Sequence, residues 1–383
     1  MKKINLHITH ENFEYSSRIL RQTEAVSEIG YFDHCYVVAL ADFGHEPIEI
    51  IDSSRTCIRV SIYLRKLVIK KYLKLFILLE WYFKIFFNFF SLKVSIVNCH
   101  GIASLPVGVF LKFIKSSYLI YDTHELETEQ TNLKGFWKFA AKISERVLIR
   151  FVDDIIVASD GIAEWYEQKY NIKNIQVIRN IPQKYKIQDS VQEKSLKEQY
   201  RIPKDEMLYI YQGNLEMGRG IELILDAFSR LSKSCHIIFM GVGTLLEKIL
   251  EKEKQYSNIH YKAPVPPKSI FEVTQGADIG IALIENVSLS YYYCLPNKFF
   301  EYCLSGLPVI VSNLPEMAKL VNCYNCGWIA NQSSDSLYSL VSSITYADIG
   351  NKLKGVQHMN KEVNWSNEKV KLKEIYIKAF QRL

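Results

Sequence analysis

The sequence predicts an α/β protein built on two parallel sheets, and three observations carry that prediction. They are the length of the chain, the alternation of short β-rich apolar runs with helix-length stretches, and glycine-rich strand-to-helix turns in its second half. At 383 residues the chain exceeds one compact core of ordinary size, so two domains are expected. With 48% hydrophobic residues, 23% charged residues and only 10 prolines, long disordered tracts are not expected.

Taken in order, the first half offers strands at Ile4 to Ile8, Cys35 to Leu40, Val94 to Asn98, Tyr118 to Tyr121, Asp154 to Ala158 and Gln176 to Ile178. The second half offers Leu208 to Tyr211, His236 to Met240, Ile259 to Tyr261, Ile279 to Leu283, Pro308 to Val311 and Trp328 to Ala330. Continuous apolar runs of this length separated by helical stretches are the pattern of βαβ units. Gln183 to Glu206 is polar, contains Pro203 and follows Asn180-Ile181-Pro182, so the domain boundary is drawn there. The expected organisation is an N-terminal domain over 1–182, a linker over 183–206, a second domain over 207–360 and a C-terminal helical segment over 361–383. Within the last segment Asn364 to Leu383 reads as an amphipathic helix, with Val370, Leu372, Ile375, Ile377 and Phe380 available for burial.

Charge is concentrated in one place. From Arg59 to Lys93 eight basic residues face one acid, Glu80, giving +7 locally, while the whole chain carries +6. Such concentration excludes a diffuse nucleic-acid-binding surface and favours a local electrostatic contact. Lys66, Lys70 and Lys74 share a helix face, with Val68, Tyr72, Leu75, Phe76, Leu79, Phe83, Phe86 and Phe90 opposite, which suits an anionic membrane surface. Ordinary helices packed on a sheet are the alternative. Glu80, Lys84 and Asn88 interrupt the run Leu75 to Leu92, so lying on a surface is expected rather than spanning. The eight cysteines are scattered, as expected in a reducing compartment, and Cys323-x-x-Cys326 lacks partners for a zinc site, so both are read as half-buried structural thiols. The start of the chain, interrupted by His7, His10 and Glu11, does not read as a signal peptide, so a cytoplasmic protein is expected.

The second half carries the chemistry. After the strand ending at Tyr211 comes Gln212-Gly213-Asn214-Leu215-Glu216-Met217-Gly218-Arg219-Gly220 and then a helical run from Ile221. Glycines there let backbone amides and a helix N-terminus approach an anion, and Arg219 adds a fork of donors. The spacing matches neither a Walker P-loop nor a dinucleotide fingerprint. Further on, Leu295-Pro296-Asn297-Lys298-Phe299-Phe300-Glu301 opens a helix whose second turn holds Glu301, a carboxylate able to grip sugar or ribose hydroxyls.

These two motifs, in their order and separation, resemble the donor-binding domain of retaining GT-B glycosyltransferases of family four. The resemblance covers most of the chain and implies two Rossmann-like domains facing each other across a cleft, with the C-terminal helix able to return to the first domain. It implies that Gly213, Asn214, Arg219 and Gly220 hold a donor diphosphate, that Pro296, Asn297 and Lys298 lie beside it, and that Glu301 binds the donor ribose. Met240-Gly241-Val242-Gly243 resembles the family's next glycine turn, and Ala263 to Pro266 its nucleobase-side loop. In the first half, Tyr121-Asp122-Thr123-His124-Glu125 is similar to the family's Asp-x-His-Glu segment. It makes His124 the candidate for polarising the reacting sugar, with His10, Arg18, His100 and Glu125 on the acceptor side and the Asn180–Pro182 turn between domains. Two departures stand out: Asn214 occupies the usual position of an arginine, and Tyr293 that of the family's first glutamate of a pair.

The expected function is transfer of a sugar from a nucleotide-diphosphate donor, UDP- or GDP-linked, to a lipid-linked saccharide in bacterial capsule, exopolysaccharide or lipopolysaccharide assembly. His124, Arg219 and Glu301 are the expected catalytic residues. Retention is expected, with no metal and no cofactor, since fixed donors can stabilise the departing diphosphate. Expected partners are the donor, the lipid-linked acceptor and the anionic inner face of the plasma membrane, and no nucleic acid. A nucleotide-sugar epimerase on the same fold and a non-catalytic membrane-associated partner protein are the alternatives.

Overall fold

The computed structural model describes residues 3–14, 16–41, 44–64, 74–131, 133–184 and 195–383. The chain divides into two compact units, Met1–Arg179 with Glu368–Leu383, and Asn180–Asn367. Lys66, Lys70 and the side chain of Lys74 lie outside the described residues, as does the stretch 185–194 of the linker expected between the domains.

In the first unit the strands are β1 (Ile4–Thr9), β2 (His34–Leu40), β3 (Ile48–Ile50), β4 (Arg55–Val60), β5 (Val94–His100), β6 (Tyr118–Thr123), β7 (Asp154–Val157) and β8 (Ile175–Val177). They form one sheet in the order β3-β4-β2-β1-β5-β6-β7-β8, parallel throughout except for the β3–β4 pair. Its central strands β1, β5 and β6 are buried along their whole length, which is why they read as unbroken runs rather than alternating ones. Strands β3 and β4 were not expected from the sequence. All three residues of β3 are exposed, and β4 buries Arg55 and Arg59, so neither carries an apolar run. Those arginines are satisfied by Asp52 at 2.7 Å and Glu49 at 2.5 Å. Within the basic segment Arg59 and Val60 close β4, and helix α2 (Lys74–Phe89) is the next described element, α1 (Ser17–Ser27) lying earlier in the chain.

Helices α3 (Leu105–Lys115), α4 (Gly135–Leu148) and α5 (Asp160–Tyr170) follow. The second unit opens with α6 (Leu196–Gln199) and holds a parallel sheet of β9 (Met207–Gln212), β10 (Cys235–Met240), β11 (Ile259–Lys262), β12 (Ile279–Ala282), β13 (Val309–Ser312) and β14 (Gly327–Ala330), ordered β11-β10-β9-β12-β13-β14. Its two faces bury separate cores: Leu208, Ile210, Ile238 and Met240 point to one, Tyr209, Tyr211, Ile237 and Phe239 to the other. The crossovers are α7 (Ile221–Arg230), α8 (Leu246–Gln255), α9 (Ile270–Thr274), α10 (Leu289–Tyr292), α11 (Asn297–Leu304) and α12 (Pro315–Tyr324), followed by α13 (Ser334–Ser343) and α14 (Tyr346–Glu362).

The last helix, α15 (Trp365–Gln381), returns to the first unit from Glu368 onward. There Leu372, Ile375, Tyr376 and Ala379 are buried, whereas Val370, expected in the core, is 58% exposed. The Tyr376 hydroxyl donates to Asn98 Oδ1 at 2.6 Å, a tie between α15 and β5. The two cysteines of Cys323-x-x-Cys326 part company: Cys323 is exposed, and Cys326 is buried with its thiol 3.8 Å from the Met359 sulfur.

Candidate functional site

The carboxyl end of β9 and the start of α11 enclose a cavity of about 350 Å³ lined by Gln212, Gly213, Asn214, Arg219, Pro296, Asn297, Lys298 and Glu301. Seven of these eight residues are among those singled out in the sequence. A second cavity of about 210 Å³ shares Gln212, Gly213, Asn214 and Glu301 with the first and continues to Met240, Gly241, Val242, Pro264, Val265 and Ile270. One end of this composite site is cationic, the other apolar, and Glu301 stands between them.

Backbone geometry makes the cationic end accessible. Gly220 caps α7 at φ +72°, a left-handed conformation, and a Cβ on it would lie 2.5 Å from Leu283 Cβ. The Glu285 carboxylate accepts from the Gly220 N–H at 3.2 Å while its own N–H donates to the Gly218 carbonyl at 2.9 Å, pinning the turn that carries Arg219. Gly241 lies against the Gly213 carbonyl so closely that a Cβ would meet that oxygen at 1.9 Å. Gly220 and Gly243 do not line the cavity; Gly243 packs on the Leu215 backbone and keeps the two turns in contact.

The two cations are unusual. Lys298 is buried, and its Nζ has no hydrogen-bond partner among the described residues, lying instead 3.6 Å from the centroid of the Tyr211 ring. Burial pushes its pKa well below the usual lysine range, Arg219 adds to that depression, and Glu301 opposes it. The guanidinium carbon of Arg219 lies 4.9 Å over the Tyr291 ring, and its Nε is also buried without a partner among the described residues. Pro296 ends the preceding extended segment, so the first turn of α11 begins at the cavity wall with Asn297 and Lys298. Cationic groups that lack partners, beside a helix N-terminus, form a receptor for an anion such as a phosphate.

Glu301 is fixed rather than free. Gln212 donates from Nε2 to Glu301 Oε2 at 2.5 Å, and Thr274 donates to Gln212 Oε1 at 2.6 Å. The Gln212 N–H donates to the Tyr302 hydroxyl at 2.8 Å, so α11 is locked to the end of β9. A carboxylate held this way can accept from a pair of hydroxyls, and the apolar continuation suits a flat ring. Gln212 and Thr274 were missed in the sequence; the only signal was a polar residue between a buried strand and its glycine turn. Tyr293 follows α10 as its C-cap and packs edge-on against Tyr292, and neither cavity reaches it.

In the first unit a cavity of about 260 Å³ is lined in part by His10, Glu11, His100, His124, Glu125 and Glu127. Three imidazoles run inward from it: His124 Nε2 lies 3.3 Å from His100 Nδ1, and His100 Nε2 lies 2.8 Å from His7 Nδ1. Beneath them Asp122 accepts three bonds from Arg18, the shortest 2.7 Å, and one from Gln22 at 2.7 Å. Burial alone would raise the Asp122 pKa, yet Arg18 and His100 hold it well below the carboxylate range. Arg18, expected on the acceptor side, is thus a buried counter-ion and does not line the cavity. His100, Asp122 and His124 bring ligating atoms within 4.8 Å of one another, but Asp122 is already neutralised by the guanidinium, which opposes a metal ion there. Burial lowers the His124 pKa to about 3 against the pull of Asp122, so its ring is neutral at pH 7. Glu127, not singled out in the sequence, has its pKa raised to about 8 by burial and by Glu125 and Glu145.

The architecture, two Rossmann-like units each on a parallel sheet, is the GT-B fold of glycosyltransferases. Residues 207–345 match the family model described as Glycosyl transferases group 1. Sucrose-phosphate synthase from Thermosynechococcus elongatus superposes with a TM-score of 0.82 at 15% identity, covering 100% of both chains. HepE from Anabaena, solved in complex with UDP and glucose, gives a TM-score of 0.73 at 14% identity, again over 100% of both chains. WaaG, a glycosyltransferase involved in lipopolysaccharide biosynthesis, gives 0.65 at 14% identity over 97% of this chain and 99% of its own. No curated protein sequence matches the chain.

Proposed function

We propose that the protein is a retaining glycosyltransferase of the family-four kind, moving a sugar from a UDP- or GDP-linked donor to a lipid-linked saccharide in assembly of a bacterial surface polysaccharide. The observation that carries the reading is the pair of cations at one cavity, buried Lys298 and half-buried Arg219, with Lys298 Nζ and Arg219 Nε lacking hydrogen-bond partners among the described residues. A donor diphosphate supplies that anion. Lys298 takes over the neutralising role that Asn214 cannot fill, and Glu301 receives the ribose hydroxyls. The base lies in the apolar continuation against Val242, Pro264 and Ile270. The UDP-glucose complex of HepE supports the donor class, and the role of WaaG in lipopolysaccharide biosynthesis supports the pathway.

Chemically, fixed cations and the start of α11 stabilise the charge that develops on the departing diphosphate, which is the task a metal ion performs elsewhere. Neutral His124 is the acceptor-side residue of this reading, able to accept a hydrogen bond from a sugar hydroxyl. The enzyme works in the cytoplasm, at the inner face of the plasma membrane. The test is transfer of labelled sugar from a panel of nucleotide sugars into organic-extractable lipid, with Arg219→Ala and Glu301→Ala as controls. Labelled lipid lost in both variants is expected. A free epimerised nucleotide sugar formed without acceptor, or turnover unchanged in both variants, would overturn the proposal.

A further inference from the structure

Helix α4 is built inside out. Of its 14 residues only Glu145 is buried, while Phe136, Phe139, Ile143 and Val147 follow one another at helical spacing and are 73%, 63%, 48% and 51% exposed. An amphipathic helix on a soluble protein turns such a stripe to the core. Here the core-facing position belongs to a carboxylate that accepts from the hydroxyls of Tyr121, Tyr166, Tyr170 and Thr128.

Two neighbouring helices do the same. On α3 Phe110, Phe113 and Ile114 are exposed, and on α2 Phe76, Leu79, Phe83 and Phe87 are exposed while Trp81, Ile85 and Phe89 face the sheet. The rings of Phe86 and Phe110 sit 5.2 Å apart, and those of Phe113 and Phe151 5.3 Å apart, so the surface is continuous from α2 across α3 toward the end of α4. Between α2 and α3 an apolar groove of about 320 Å³ opens, lined by Leu79, Phe83, Phe87, Val107 and Phe110 among others.

Charge selects the occupant. Among the described side chains the three helices carry Lys84, Lys112, Lys115, Lys138, Lys142 and Arg146 against Glu80 and Glu145, with Lys84 paired to Glu80, Lys112 to Asp153, and Lys138 and Lys142 to Glu129. Both acids are spent internally, Glu80 on Lys84 and the Tyr63 and Leu64 amides, Glu145 on the four hydroxyls. On α4 the exposed Arg146 falls on the flank of the apolar stripe, and the exposed Lys134 and Arg150 bracket the helix ends. An apolar face with a cationic border matches acyl chains beneath anionic headgroups. No helix among the described residues is long and apolar enough to cross a membrane.

We propose that α2, α3 and α4 together form a docking face for an anionic phospholipid bilayer, with the α2–α3 groove taking a hydrocarbon chain from it. The inference rests on the reading of a lipid-linked acceptor and gives the membrane contact to three helices rather than to the lysine stripe of the basic segment alone.

The test is flotation of the full chain with vesicles of phosphatidylcholine, alone or mixed with phosphatidylglycerol. UDP binding, thermal melting and sedimentation are followed on the same samples. The intact protein floats with the mixed vesicles. The triple variant Phe83→Ser, Phe110→Ser, Phe139→Ser loses partitioning by about a hundredfold while keeping UDP binding. Should that variant fail to fold, Lys134→Glu with Arg146→Glu and Arg150→Glu, all on exposed positions, cuts binding to mixed vesicles at least about tenfold. Failure of the intact protein to float, or flotation indifferent to these substitutions, overturns the proposal. So does a dimer that the phenylalanine substitutions dissolve, which assigns the face to a second copy. Flotation without UDP binding in the intact protein would instead sink the donor-site reading and leave the docking face standing.

Discussion

Replacing Lys298 with methionine separates what the side chain does for binding from what it does for stability. The aliphatic stem is kept and the ammonium removed. In the free protein that ammonium is buried, has no hydrogen-bond partner among the described residues and shares its cavity with Arg219. Removing a buried amine that makes no hydrogen bond among the described residues stabilises the fold by about 1 kcal/mol, raising Tm by roughly 2–4 °C for a unit of this size. Binding moves the other way. One buried charge-assisted hydrogen bond to a phosphate oxygen is worth about 2–3 kcal/mol, so the Kd for UDP rises roughly 30- to 150-fold. There is a pH signature as well. The folded-state pKa of Lys298 is depressed below its unfolded value. Between those two values the unfolded chain binds more protons, and stability climbs with pH. Lys298→Met removes that slope. Calorimetric titration with UDP and thermal melts across pH read all three effects. A variant that melts lower and binds UDP unchanged would refute the reasoning, because it would make Lys298 a packing residue.

Other perturbations follow from the same geometry. Thr274→Val leaves Gln212 Oε1 without its donor; the expected loss in UDP affinity, about three- to tenfold, is smaller than for Glu301→Ala, and equal losses would mean that Glu301 is not held through Gln212. Gly241→Ala drives a methyl into the Gly213 carbonyl; a loss of about 3 kcal/mol or more is expected from denaturant unfolding, and a neutral result would contradict the close approach of the two turns. In the first unit, Glu127 has a folded pKa near 8 against an ordinary value of 4.5. The folded state therefore binds more protons in that window, stability falls as pH rises through it by up to about 5 kcal/mol, and Glu127→Gln flattens the dependence. A wild-type stability curve flat from pH 5 to 8 would contradict it, the window being set by those two values.

Much of the fold was legible because central parallel strands are buried on both faces and read as unbroken apolar runs, as in β1, β5, β9 and β10. Strands β3 and β4 were not, since one is an exposed edge and the other buries two arginines, so neither offers an apolar run. At the donor-type site the glycine turn and the Pro296–Glu301 segment stood out, because anion binding needs glycine and a helix start at fixed spacing. Gln212 and Thr274 left no such trace; their roles depend on a contact across 62 residues. Arg18 was expected on the acceptor side and proved to be the buried partner of Asp122, a pairing separated by 104 residues. The apolar stripe of α4 was not singled out in the sequence, since helical spacing looks the same whether it faces core or solvent, and the fold turns it outward.

The most direct test of the central claim is a crystal structure of the protein with UDP. Diphosphate oxygens are expected within hydrogen-bonding distance of Lys298 Nζ and the Arg219 guanidinium, the ribose hydroxyls on Glu301, and the uracil against Val242 and Pro264. A nucleotide bound elsewhere, with Lys298 Nζ still unsatisfied, would contradict the account.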